Sequence, residues 1–248
     1  MPVQITTRRD AGWAARAVFV APGSRFAESF RHLAQRVRAQ LAGEPSSSVL
    51  VTSCLPGEGK TLTACNLALA LRSLGGGERI ALVDLDLRMP GVARALGVEP
   101  RTGVEEVLRG TASLESVCLP TDAGIDVFPA ATAHPTSYEL LVRPELGELL
   151  RKLEGTHRWI ICDSAPLLAL ADTALVIAQV RTCLAVVRSG RTPRAALSEL
   201  VDRLPPDKRL GFFLNDARAP KHARKYYHQG YYHEAPRPGG WRLPWRKS

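Results

Sequence analysis

Apolar positions along this chain change period again and again. Residues 49–53 (VLVTS) form a short unbroken apolar run, and residues 60–74 (KTLTACNLALALRSL) follow with the length and composition of a helix ended by Gly75–Gly77. The same alternation recurs downstream. Residues 79–87 (RIALVDLDL), 124–130 (GIDVFPA), 158–166 (RWIICDSAP), 182–190 (TCLAVVRSG) and 209–216 (RLGFFLND) read as strands. Between them, residues 103–110, 137–141, 145–155, 171–180 and 192–204 read as helices, and Pro90 and Gly91 break the chain before one more short helix. Residues 24–42 carry Phe26, Phe30, Leu33, Val37 and Leu41 at helical spacing, with arginines on the opposite face. Apolar strands alternating with helices predict an α/β fold: a mostly parallel sheet covered by helices on both faces.

Composition sharpens this. At 248 residues, 45% hydrophobic and 23% charged, the chain has the material for one well-buried α/β domain. We expect an irregular segment over residues 1–22, a domain over 23–216 with its N-terminal helix at 24–42, and a basic, tyrosine-rich flexible tail over 217–248. The five cysteines are odd in number and scattered, which argues against a disulfide framework or a zinc site. The first twenty residues show no signal-peptide pattern, and the longest apolar stretch is cut by Asp172. A cytoplasmic protein is expected, reaching the inner face of the plasma membrane through a partner. The net charge is +9, and residues 215–248 hold eight Lys/Arg against Asp216 and Glu234, so six of the nine charges lie in the tail. An anionic partner or a merely solvated tail both fit that distribution.

Candidate chemistry sits at three strand ends. After the first strand comes SCLPGEGKT. Gly57 and Gly59 let backbone N–H groups turn inward around an anion. Lys60 supplies charge for the outer phosphates of ATP, and Thr61 a hydroxyl for Mg²⁺, at the start of a helix whose N-terminus favours phosphate. Pro56, Gly57, Glu58, Gly59, Lys60, Thr61 and Leu62 are therefore the expected nucleotide-binding loop of a P-loop NTPase. The match to G-x-x-x-x-G-K-[ST] is imperfect, because its first position is Cys54. The second strand ends in Asp84 and Asp86, whose period-2 spacing points both the same way. Carboxylates there can hold Mg²⁺ or take a proton from an attacking hydroxyl, or merely cap the next turn. The third, Asp163, ends an apolar strand as a metal-side carboxylate does.

These residues resemble the bacterial tyrosine kinases of capsule and exopolysaccharide synthesis, whose motifs are P-G-E-G-K-[ST] (Pro56 to Thr61), D-x-D-x-R (Asp84 to Arg88) and D-x-x-P (Asp163 to Pro166). AESFRHL at 27–33, NLALAL at 66–71 and GFFLND before a tyrosine cluster add to the likeness. Partitioning and septum-placing ATPases share the fold but carry a signature lysine where this chain has Leu55. The resemblance implies an autophosphorylating tyrosine kinase using ATP and Mg²⁺, with Lys60, Asp84 and Asp86 catalytic and Thr61, Asp86 and Asp163 on the metal side. It implies that Asn215 contacts adenine and that Tyr226, Tyr227, Tyr231 and Tyr232 are phosphoacceptors offered to a neighbouring subunit. It further implies a stand-alone arrangement with a separate transmembrane adaptor of the polysaccharide co-polymerase type, a homo-oligomer and a cognate tyrosine phosphatase, with no specific nucleic acid. The family's E-x-x-R-x-x-R ring motif is met by Glu28 and Arg31 but broken at Ala34. An ATPase switch without kinase activity, and a non-catalytic subunit of a polysaccharide assembly, are the alternatives.

Overall fold

The computed structural model describes residues 1–7 and 13–217. Among them, seven strands form one sheet: β1 (Ser47–Ser53), β2 (Ile80–Asp84), β3 (Leu119–Pro120), β4 (Asp126–Phe128), β5 (Trp159–Asp163), β6 (Thr182–Arg188) and β7 (Arg209–Asn215). Their spatial order is β3-β4-β2-β5-β1-β6-β7. All pairings are parallel except the short β3–β4 contact. The α-helices among the described residues are α1 (Ala17–Val20), α2 (Arg25–Gln40), α3 (Lys60–Ser73), α4 (Val92–Leu96), α5 (Val104–Arg109), α6 (Leu114–Val117), α7 (Ser137–Leu141), α8 (Pro144–Glu154), α9 (Asp172–Gln179) and α10 (Arg194–Arg203).

The apolar pattern explains the layering. Every residue of β1, β2 and β5 is buried, as strands covered on both faces must be. One face packs on α2 and α3 through Phe30, Val37, Leu67 and Leu71. The other packs on α5, α8 and α9 through Leu108, Leu149, Leu150 and Val176. Helix α8 shows the logic plainly: Leu146, Leu149, Leu150 and Leu153 are buried at helical spacing, each worth about 1.5–3 kcal/mol. Helix α2 starts where Ser24 accepts a hydrogen bond from the Ala27 N–H.

The N-terminal segment is more ordered than its sequence indicates. Residues Trp13–Arg16 form a 3-10 helix that runs into α1. Asn66 of α3 fixes them by accepting from the Val18 N–H at 3.0 Å and donating to the Ala14 carbonyl at 2.7 Å. Val3 forms an isolated parallel bridge with Thr121, and Ile5 is buried. These elements are too short to show a period, so only tertiary contacts reveal them. The tail residues from 218 on, with Tyr226, Tyr227, Tyr231 and Tyr232, lie outside the described residues. Among the described residues, no helix is long and apolar enough to cross a membrane.

Candidate nucleotide and phosphotransfer site

The three strand-end motifs meet because their strands are neighbours. β5 lies between β1 and β2, with Val51 opposite Asp163 on one side and Asp84 opposite Asp163 on the other. This is the carboxyl edge of a parallel sheet, where open α/β folds bind ligands.

The loop after β1 is shaped by left-handed glycines: Gly57 has φ 78° and Gly59 φ 100°. A Cβ at Gly59 would also run into the Asn215 amide, which donates to the Glu58 carbonyl at 2.8 Å. Glu58 itself is buried and faces inward, accepting from the Leu55 N–H at 2.9 Å and from the Thr192 hydroxyl. Arg188, at the end of β6, donates to the Gly57 carbonyl at 3.1 Å and to Asp216. The loop is thus braced from the β6 and β7 side while α3 begins at Lys60. Beside it lies a cavity of about 980 Å³, lined by Phe26, Phe213, Leu214, Arg188, Arg191 and Asn215 along with the loop.

Lys60 reaches across the cleft to Asp86 at 2.7 Å. Burial works against its charge, but Asp163 and Asp86 more than offset that, so Lys60 is held above its ordinary pKa. The second oxygen of Asp86 accepts from the Met89 N–H at 3.1 Å. Thr61 packs against Gly91 so closely that a Cβ there would sit 3.0 Å from the threonine methyl. Asp84 is fully buried, and both of its oxygens are occupied. It accepts from the N–H of Asp86 at 3.2 Å, of Gly91 at 2.9 Å and of Val92 at 3.0 Å, capping α4 from a distance. Burial, reinforced by the charge of Asp163, pushes its carboxyl well up.

Asp163 is the opposite case. It is equally buried, yet neither carboxylate oxygen has a partner at full hydrogen-bond geometry among the described residues; Lys60, the Thr61 hydroxyl and the Ser164 N–H favour its charge only from looser positions. Burial pushes its carboxyl up to about 6, with Lys60 pulling the other way. A buried carboxylate with two empty oxygens beside a hydroxyl and an ammonium fits a hard cation. No cluster of three or more His, Cys, Asp or Glu that could cage a metal exists among the described residues.

No family model matches the chain. The chain is 33% identical over 206 residues to the succinoglycan biosynthesis transport protein ExoP of Rhizobium meliloti (81% of this chain, 26% of ExoP). It is 29% identical over 210 residues to the tyrosine-protein kinase YwqD of Bacillus subtilis (84% of this chain, 88% of YwqD). Among solved structures it is 32% identical to the VpsO kinase domain, covering 79% of this chain and 100% of that domain at a TM-score of 0.67. The chain belongs to the bacterial tyrosine kinase family of exopolysaccharide biosynthesis. It spans about a quarter of the length of ExoP and most of YwqD.

The fold brings Pro56 to Leu62, Asp84, Asp86, Asp163 and Asn215 to one edge of the sheet. The tail tyrosines lie outside the described residues. Sequence reading missed Phe26, Arg188 and Arg191 around the cavity. The Arg188 signal was an arginine ending an otherwise apolar strand, the same position Asp163 holds on β5.

Proposed function

We propose that this chain transfers the γ-phosphoryl group of ATP to tyrosine, and that Tyr226, Tyr227, Tyr231 and Tyr232 are its own acceptors, offered to a neighbouring subunit. The observation that carries the reading is the meeting of Lys60, Thr61, Asp86 and the empty carboxylate of Asp163 in one cleft. The loop amides and Lys60 hold the β- and γ-phosphates, for which Lys60 must leave Asp86. Thr61, Asp86 and Asp163 would hold Mg²⁺, which would supply positive charge against the negative charge of the phosphates. Asn215 would sit at the base, with Phe26 and Phe213 supplying apolar walls. The phenol oxygen bonds to the γ-phosphorus, the bond to the bridging oxygen breaks, and ADP leaves. The phenolic proton, pKa near 10, passes to Asp84. Because Asp84 is tied to the Gly91 and Val92 amides, that step requires the turn to open or an oxygen to rotate free.

The cellular setting follows the family: a cytoplasmic homo-oligomer held at the inner membrane face by a co-polymerase-type transmembrane adaptor, and reset by a tyrosine phosphatase. Each phosphate adds nearly two negative charges to a tail whose excess is positive, so phosphorylation weakens self-association and anionic contacts.

The test is to incubate the pure protein, with and without its adaptor, with MgATP and measure phosphotyrosine. Signal from wild type that disappears in Lys60→Met supports the reading. ATP hydrolysis without phosphotyrosine overturns it in favour of an ATPase switch. A variant with all four tail tyrosines changed to Phe should still bind ATP, lose its phosphotyrosine, and no longer change oligomer distribution with ATP.

A further inference from the structure

Asp172 does more than begin a helix. It is 3% exposed, at the first position of α9, and one oxygen of its carboxylate serves two loops. Arg88 Nε donates to Oδ2 at 3.1 Å, and the Ser137 hydroxyl donates to the same atom. Arg88 belongs to the turn after β2, Ser137 to the segment after β4, and Asp172 to the segment after β5. These three strands are adjacent in the sheet, so one buried carboxylate ties together the connections that leave its active edge.

We propose that Asp172 is a positioning residue for the phosphotransfer site, acting through Arg88 on Asp86. Arg88 lies two residues beyond Asp86 on a turn whose other ties are backbone groups: Asp86 accepts the Met89 N–H, Asp84 those of Gly91 and Val92, and the Leu87 carbonyl that of His134. Anchoring Arg88 on Asp172 fixes the exit of the turn and with it the carboxylate that faces Lys60. The anchor has a second effect. Arg88 is a cation two residues from Asp86 and four from Asp84 along the chain, carboxylates that Lys60 also faces. A guanidinium is strongly drawn to such groups. Asp172 supplies it with a carboxylate outside that cluster. A helix-start aspartate serving only the helix dipole would be served equally well by solvent, and would not be buried against a hydroxyl and a guanidinium.

The inference rests on the nucleotide reading of the cleft, and two readouts separate its failure from failure of the kinase reading. In ligand-free protein, Asp172→Asn and Arg88→Gln should each speed amide exchange at Met89, Gly91 and Val92 about tenfold, leaving β1 and β6 unchanged. In equilibrium titrations, Mg²⁺ should strengthen ADP binding roughly 10–100-fold less in Asp172→Asn than in wild type, while Mg²⁺-free ADP binding stays within about twofold. If wild type makes phosphotyrosine, kcat should fall by the same factor with KM for ATP little changed. The Asp172→Asn/Arg88→Gln double variant should lose no more than the worse single one. Arg88→Gln stands in if Asp172→Asn does not fold, and Ser137→Ala, which keeps the Arg88 contact, should give a smaller loss. Unchanged exchange at residues 89–92, exchange raised uniformly over the sheet, or additive losses in the double variant would each overturn the proposal. Absence of phosphotyrosine from wild type, with the Mg²⁺ effect still lost in Asp172→Asn, overturns only the kinase reading.

Discussion

The turn after β2 and the turn after β5 begin with aspartates that face each other in register, Asp84 and Asp163, and both are fully buried. Burial is the same; partners are not. Asp84 accepts three backbone N–H groups, so its charge is spent on shaping the turn and starting α4. Asp163 accepts none among the described residues. Desolvating a carboxylate without partners costs several kcal/mol, a cost a fold carries only where something else supplies the missing interactions. Two residues of one type, side by side, thus differ in the ligand-free protein by satisfaction rather than by exposure: Asp84 is held by its turn until that turn opens, and Asp163 is left to a ligand.

Lys60 stands between the two and gives the largest expected effect. Lys60→Met removes the cation that faces both Asp86 and Asp163 and should lower phosphotyrosine formation roughly 100–1000-fold, as loss of a preorganised electrostatic contact does. Its fold should survive, because Lys60 is 14% exposed and its hydrogen bond among the described residues goes to Asp86 rather than to the loop. Retained activity would mean that the cleft is not the phosphate site. Next in size is Asp84→Ala. It strands three N–H donors and should cost about 2–4 kcal/mol in a urea unfolding experiment. A cost near zero would remove Asp84 from the structural side of the comparison.

How far this pair was legible in sequence follows from the range of the interactions. The P-loop, the strand-end carboxylates and the order of strands and helices are written locally, in apolar runs and in Gly57 and Gly59. The capping of α4 by Asp84 spans only eight residues, yet D-x-D looks the same whether its carboxylates cap or catalyse. Only geometry separates the two. The Asp172 clamp joins residues 84 and 35 positions apart. In sequence, Asp172 is simply the charge that interrupts an apolar stretch. The N-terminal 3-10 helix and α1 are held by Asn66, about fifty residues away. No short window contains that information.

The smallest effect is the most discriminating, because its sign is opposite for the two aspartates. Asp163→Asn removes a buried charge whose desolvation outweighs the pull of Lys60, so it should stabilise the ligand-free protein by about 1–3 kcal/mol. The gain depends on pH in a stated direction. The Asp163 carboxyl goes from an ordinary value of 3.8 when unfolded to about 6 when folded. Below the lower value both states carry the proton, and the substitution changes little. As pH rises through this window the unfolded chain releases its proton first, so the folded wild type loses stability until about pH 6 and stays penalised above it. Asn does not titrate and escapes that loss. Urea unfolding of wild type and Asp163→Asn at pH 4 and pH 7.5 should show a difference only at the higher value. Saturating MgADP should erase the advantage at pH 7.5 by stabilising wild type more than the variant. A variant no more stable than wild type at pH 7.5 would mean that Asp163 is already satisfied, and the contrast with Asp84 would fail.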